Sequence, residues 1–138
     1  MHRHPLDPAA VDAADRFLGS AEESRAIAGR LGLLADATRL RTLQALQAAP
    51  ELCVGDLALA IGTSGDAVGY ALRLLRAAGF VRSRRDGRVT YYRLSEDFPR
   101  VLLLECVSAL ASCSPEPEVP GADPATGPGA EAGASEGG

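Results

Sequence analysis

Lysine is absent from this chain, and all 14 basic residues are arginine, a bias that suggests a GC-rich genome and carries no physical inference. Histidine is nearly absent as well, and both copies, His2 and His4, fall within the first four residues. No stretch approaches the roughly 18 consecutive apolar residues that read as a membrane helix. The N-terminus lacks the charged start and apolar run of a secretory signal. A cytoplasmic protein without a membrane partner is therefore expected. The three cysteines, Cys53, Cys106 and Cys113, are an odd number, and a reducing compartment keeps them as thiols rather than as a disulfide frame. Also missing are any Ser/His or Cys/His arrangement, paired-carboxylate motif or glycine-rich phosphate loop, so an enzyme is not expected. With 138 residues the chain can build one small core but not two.

What is present begins with helix signals. Residues 1–6 read as a flexible arm. Asp7-Pro8 has the form of an N-cap followed by a first-turn proline, which predicts a helix to about Leu18. Ser20-Ala21-Glu22-Glu23 fits a capping box, with Ser20 capping and Glu23 reaching back, and predicts a second helix to about Leu34. Asp36 caps a third through Ala49, striped by Leu40, Leu43 and Leu46 and ended by Pro50. Pro99 opens a last helix to about Ser112. Its apolar set, from Val101 to Leu110, is too broad for a helix packed on one side. The economical partner is the same helix of a second subunit, with the first helix, in a twofold dimer. Residues 114–138 hold five prolines, six glycines and five acids with no basic residue, and are expected to be disordered. That tail reads as passive, or as an acidic arm competing with DNA for basic residues.

The centre of the chain carries the functional signal. Leu57, Leu59 and Ile61 supply the apolar positions of a short helix, broken by Gly62-Thr63-Ser64. Ser64 can cap a second helix over about Gly65 to Ala78, with Val68, Leu72 and Leu75 on one face. A helix, a tight turn and a second helix is how side chains are presented to the DNA major groove. Two β-prone runs follow, Phe80–Arg85 and Arg88–Leu94, separated by Asp86-Gly87, a pair suited to a type I′ turn. Between Arg73 and Arg93 seven arginines face one acid, a balance of +6 in a chain of −4, so the remainder carries −10. A basic island in an acidic protein is a footprint for phosphates, although a solvated hairpin can also be arginine-rich.

From about Leu31 to Leu110 the chain resembles the ArsR/SmtB family of metal-responsive winged-helix repressors. The resemblance is carried by Leu34-Ala35-Asp36-Ala37-Thr38-Arg39-Leu40-Arg41, by Glu51-Leu52-Cys53-Val54-Gly55-Asp56-Leu57 with Ala60-Ile61-Gly62, by Leu72-Arg73-x-Leu75-Arg76, and by Gly87-Arg88-x-x-Tyr91-Tyr92-x-Leu94. It implies a mainly α fold with a β-hairpin wing (winged helix-turn-helix, α+β), with the domain over 7–113 and dimerisation through the terminal helices. It further implies a transcription regulator, repressor or activator, binding a palindromic operator in double-stranded DNA with an affinity set by a transition metal.

Two inducer sites belong to that resemblance. The first pairs the Cys and Asp of the Glu-Leu-Cys-Val-Gly-Asp string with a Cys and a His of the other subunit's arm. Cys53 and Asp56 match, while the arm offers His2 and His4 in place of cysteine. Imidazole, carboxylate and one thiolate suit Ni²⁺, Zn²⁺ or Co²⁺, with Ni²⁺ or Zn²⁺ the leading choices. The plainer reading makes Cys53 a small buried hydrophobe, Asp56 a helix-start acid and the histidines inert. The positions of the second site are Glu96, Phe98, Ala109 and Ser112, so that site is missing.

The DNA-reading helix departs from the family too, with Gly69-Tyr70 where relatives have Ser-His. Base readout then falls to Ser64, Asp66, Tyr70 and Arg73, with Arg84, Arg85 and Arg88 on phosphates or in the minor groove. Modest intrinsic affinity would leave room for a protein co-regulator. Cys106 and Cys113 are seven apart, placing both on one helix face, as packing residues, as a soft-metal thiolate site or as a thiol switch that forms a disulfide on oxidation. The rivals to metal control are therefore a redox-sensing regulator using that pair, and a winged-helix interaction module with weak DNA binding.

Overall fold

Four helices open on a side chain that accepts a hydrogen bond from the backbone N–H three residues on. In the computed structural model, which describes residues 4–117, Asp7 caps α1 (Pro8–Phe17) by accepting from Ala10 at 3.1 Å, and Ser20 caps α2 (Ala21–Leu33) by accepting from Glu23 at 3.0 Å. Asp36 does the same for α3 (Ala37–Ala48) from Arg39 at 3.0 Å. These caps satisfy N–H groups that have no partner inside the helix. Glu23 folds its carboxylate back toward Gly19, but only the Ser20 half of the expected box closes as a hydrogen bond among the described residues. Residues 1–3 of the arm and 118–138 of the tail lie outside the described residues.

The joint between α2 and α3 is closed by one side chain. Arg39 donates through Nε to the Leu33 carbonyl at 2.7 Å and through Nη2 to the Gly32 carbonyl at 3.4 Å. A guanidinium thereby serves carbonyls at the end of α2, of which Gly32 also accepts the Ala35 N–H at 3.1 Å. Neither α1 nor α2 buries a residue, and Val11, Phe17, Leu18, Ile27 and Leu31 remain exposed.

The core lies beyond them. Leu43 and Leu46 of α3, Leu57 of α4 (Val54–Ile61), Val68, Ala71, Leu72 and Leu75 of α5 (Gly65–Ala77), Val81 of β2 (Val81–Asp86) and Leu94 of β3 (Val89–Leu94) are all buried. Two polar side chains join them with their needs met. Thr42 donates to the Thr38 carbonyl at 2.7 Å, and Ser95 donates to Asp97 at 3.0 Å. Phe98 is buried edge-on against Phe80, with ring centres 5.5 Å apart.

Two expectations are corrected by the structure. Leu59 is not a core position of α4, because it is 83% exposed. It lies about 200° round the helix from Leu57, so Ala58 and Ile61 flank the inner face instead. The hairpin turn is also one residue later than expected. Asp86 pairs with Val89, so the two-residue loop is Gly87-Arg88 rather than Asp86-Gly87. Only Gly87 has positive φ, +67°, and a glycine first followed by a residue of ordinary φ is the II′ pattern rather than I′. The pairing extends both strands to their full reach and leaves Asp86 as the last rung. A short strand that the sequence does not mark, β1 (Leu52–Cys53), pairs antiparallel with β3, giving the sheet order β1-β3-β2.

The described residues divide into two units after Arg100. The second contains most of α6 (Arg100–Ala111), in which Leu103 is buried, Cys106 and Val107 are half-buried, and Val101, Leu102, Leu104 and Leu110 are exposed. The helix ends before Cys113, which donates its N–H to the Leu110 carbonyl in a closing turn and is exposed. Cys106 and Cys113 therefore do not share a helix face, because the 3.6-residue period stops applying at Ala111. No helix among the described residues is long and apolar enough to cross a membrane.

Candidate nucleic-acid interface and metal-ligand pair

The turn between α4 and α5 is made by Gly62, which adopts φ +84° as the left-handed end of α4 and so needs no Cβ. Two residues on, the Ser64 hydroxyl accepts from Ala67 N–H at 3.1 Å and fixes the start of α5. Burial of Val68, Leu72 and Leu75 then dictates the outer face. Asp66, Tyr70 and Arg73 succeed one another there at intervals of four and three, all exposed, and the Arg73 guanidinium stacks over the Tyr70 ring at 5.4 Å. That stacking gives a flexible cation a fixed platform. Gly69 beside them has nothing within 4 Å of where a Cβ would stand, so it leaves a bare patch next to Tyr70.

On the hairpin the arginines have different partners. Arg82 and Arg93 are directly opposed across β2 and β3, an arrangement of like charges that costs stability by itself. Glu96 offsets it by reaching both, at 4.0 Å from Arg82 and 3.6 Å from Arg93. Its own backbone N–H, and then Arg93 and Arg82, hold the Glu96 carboxyl below the usual carboxylate range. Arg84 is gripped by Glu51, donating through Nε to both carboxylate oxygens at 3.2 and 3.0 Å and through Nη2 at 2.8 Å. Those hydrogen bonds lower the Glu51 carboxyl and raise the guanidinium. Arg85 donates to the Gly87 carbonyl at 3.1 Å, across the turn. Arg88, in the turn itself, is exposed and makes no hydrogen bond or ion pair among the described residues. From the sequence Glu51 stands only in the string that carries the resemblance and Glu96 only at a position of the second inducer site; Arg93 lies three residues from Glu96, but nothing local marks Glu51 as the partner of Arg84 or Glu96 as the partner of Arg82.

Cys53 is half-buried at the end of β1 and stands at the cap position of α4, while Asp56 is exposed in that helix's first turn. A soft thiolate and a hard carboxylate at one helix end fit part of a shell for a borderline divalent ion. No group of three His, Cys, Asp or Glu side chains that could hold a metal occurs among the described residues. His4 is exposed, and His2 lies outside the described residues. At the positions of the family's second site, Glu96 is engaged by two arginines, Phe98 is buried, Ala109 has no donor and Ser112 donates to the Ser108 carbonyl.

Three helices around a buried apolar centre, a helix-turn-helix and a three-stranded wing define a winged-helix protein. A family model described as MarR family matches residues 35–89. The chain is 44% identical over 78 residues to the transcriptional repressor SmtB homolog of Synechocystis sp., covering 56% of this chain and 58% of that protein. It is 41% identical over 75 residues to the HTH-type transcriptional regulator KmtR of Mycobacterium tuberculosis, covering 54% and 57%. Among solved structures, the AntR antimony-specific transcriptional repressor superposes with a TM-score of 0.63 at 30% identity, covering 78% of this chain and 95% of that one. The chain belongs to the ArsR/SmtB family of winged-helix regulators, which are not enzymes. It spans a little over half the length of these two relatives.

Proposed function

We propose that this protein is a homodimeric transcription regulator that binds a palindromic operator and changes its affinity when a transition metal binds. The reading rests above all on the exposed outer face of α5 standing beside an arginine wing in a chain of negative net charge. Ser64, Asp66, Tyr70 and Arg73 face base edges, and Arg85 and Arg88, with Arg84, serve the phosphates. Its relatives are named as repressors, which favours repression. The organisation is an arm (1–6), a DNA-binding and dimerisation domain (7–113) and an acidic tail (114–138), in the cytoplasm.

The metal site consists of Cys53 and Asp56 of one subunit with His2 and His4 from the arm of the other, and takes Ni²⁺ or Zn²⁺. A metal bound there would supply a tether that links the N-terminal arm to the reading half. Such a tether biases DNA affinity only if the ion binds the two arrangements of the dimer unequally. Ligand protons must leave, so metal affinity falls in acid.

The test is a mobility shift on a palindromic promoter fragment, at low and high salt, with and without Ni²⁺ or Zn²⁺. Binding that weakens steeply with salt and responds to metal is expected. Loss of the metal response in Cys53→Ser, and in a chain lacking residues 1–6, would locate the site, whereas an unchanged response would place the ligands elsewhere.

A further inference from the structure

Arg84 differs from the other wing arginines in the number of partners that hold it, although its side chain stays 48% exposed. Its guanidinium makes three hydrogen bonds to Glu51, stacks on the Tyr91 ring at 4.9 Å and approaches Asp86 at 3.9 Å. Tyr91 is the cross-strand partner of Arg84 on one side and of Cys53 on the other. The three residues therefore form one row across β2, β3 and β1, and side chains in such a row stand on the same face of a sheet. Glu51 immediately precedes β1, so its grip on Arg84 ties the outermost strand of the wing back to the segment that leads into α4. Nothing else among the described hydrogen bonds and ion pairs joins β2 to that segment.

We infer that Glu51 and Arg84 are a positioning pair that sets the pose of the wing, so that Arg84 is a strut rather than a phosphate ligand. This rests on the DNA-binding reading above and changes its assignment of Arg84. A planar guanidinium is needed for such a role, because an ammonium can neither meet both carboxylate oxygens in plane nor stack on the ring. A strut carries no counterion-release signature, whereas each phosphate contact contributes a salt slope of about 0.9. The row also gives whatever binds at Cys53 a physical connection to the wing.

The experiment compares full-length Arg84→Ala, Arg84→Lys, Glu51→Ala, the double alanine variant and Arg88→Ala by DNA affinity over a salt series. Expected are several-fold losses that are equal in Arg84→Ala, Arg84→Lys and Glu51→Ala and no greater in the double variant, with the slope unchanged. Arg88→Ala should flatten the slope instead. Amide hydrogen exchange, read without DNA, should show Val89–Leu94 opening faster in Glu51→Ala. Exchanging the charges, Glu51→Arg with Arg84→Glu, should recover part of the protection. The inference is overturned if Arg84→Ala flattens the slope while Arg84→Lys binds normally, since Arg84 then touches phosphate. It is equally overturned if Glu51→Ala tightens binding, which would make Glu51 a competitor of DNA. Should the wild-type protein bind no DNA, the functional reading fails separately, and unaltered exchange in Glu51→Ala would still overturn the strut.

Discussion

At Gly87 a single missing Cβ decides how the wing turns. Its φ of +67° lies where an L side chain meets the following carbonyl, at a cost of roughly 1–2 kcal/mol. Gly87→Ala should lower unfolding stability by about that amount in urea titration, with no change in the buried core. Glu96 offers a second residue-scale expectation. Its carboxyl is held below the ordinary range, first by its own backbone N–H and then by Arg93 and Arg82. A depressed carboxyl stabilises the fold fully above the ordinary glutamate range, and that contribution is lost as pH falls through the lowered value. The group is exposed, so the effect is small and is best followed by NMR titration of its side chain. Arg93→Ala should move the Glu96 midpoint up without restoring it fully, because the backbone hydrogen bond remains. An unmoved midpoint would mean that Arg93 does not act on Glu96.

On the scale of elements, α5 combines two demands that pull apart. Its inner face must pack, and Val68, Ala71, Leu72 and Leu75 do so. Its outer face must stay exposed, and there Gly69 spends helix stability without any packing reason, since a Cβ would touch nothing within 4 Å. Gly69→Ala should therefore raise stability by about 1 kcal/mol in thermal or urea unfolding. A drop in stability would show that the helix is not formed as described. If the bare patch beside Tyr70 serves operator recognition, the same variant should alter affinity on the cognate fragment more than on random DNA. The caps of α1, α2, α3 and α5 were legible beforehand because each is a contact between residues three apart. The strand β1 was not, because two residues give no alternation to read and their partners Tyr91 and Tyr92 lie almost forty positions downstream.

For the molecule as a whole, the unsolved surface is apolar. Val101, Leu102, Leu104 and Leu110 of α6 are each more than half exposed, as are Val11 and Phe17 of α1. Apolar faces of that kind mark interaction sites, and a twofold dimer would cover them on both copies at once. Sedimentation equilibrium of the full chain should give a dimer at micromolar concentration. Leu102→Glu with Leu104→Glu should give a folded monomer with greatly reduced operator affinity. Leu103 is a poor probe of that contact, because it is already 3% exposed within one chain and its substitution would damage the fold directly. A wild-type monomer would remove the dimer from the proposed function.

The sequence by itself determined the helices, their caps, the presence of a hairpin after a helix-turn-helix, and the family. Each of these is written in contacts of three or four residues, or in strings that keep their spacing. Tertiary structure alone decided which face of α4 turns inward and so exposes Leu59, which two residues make the wing's turn, and where α6 stops short of Cys113. It alone brought Glu51 onto Arg84, 33 positions away, and Glu96 between two opposed arginines. Pairing of that kind depends on strand register and on the path of the chain between partners. A one-residue shift of the hairpin would have put Arg84 on the other face of the sheet, with the local composition unchanged.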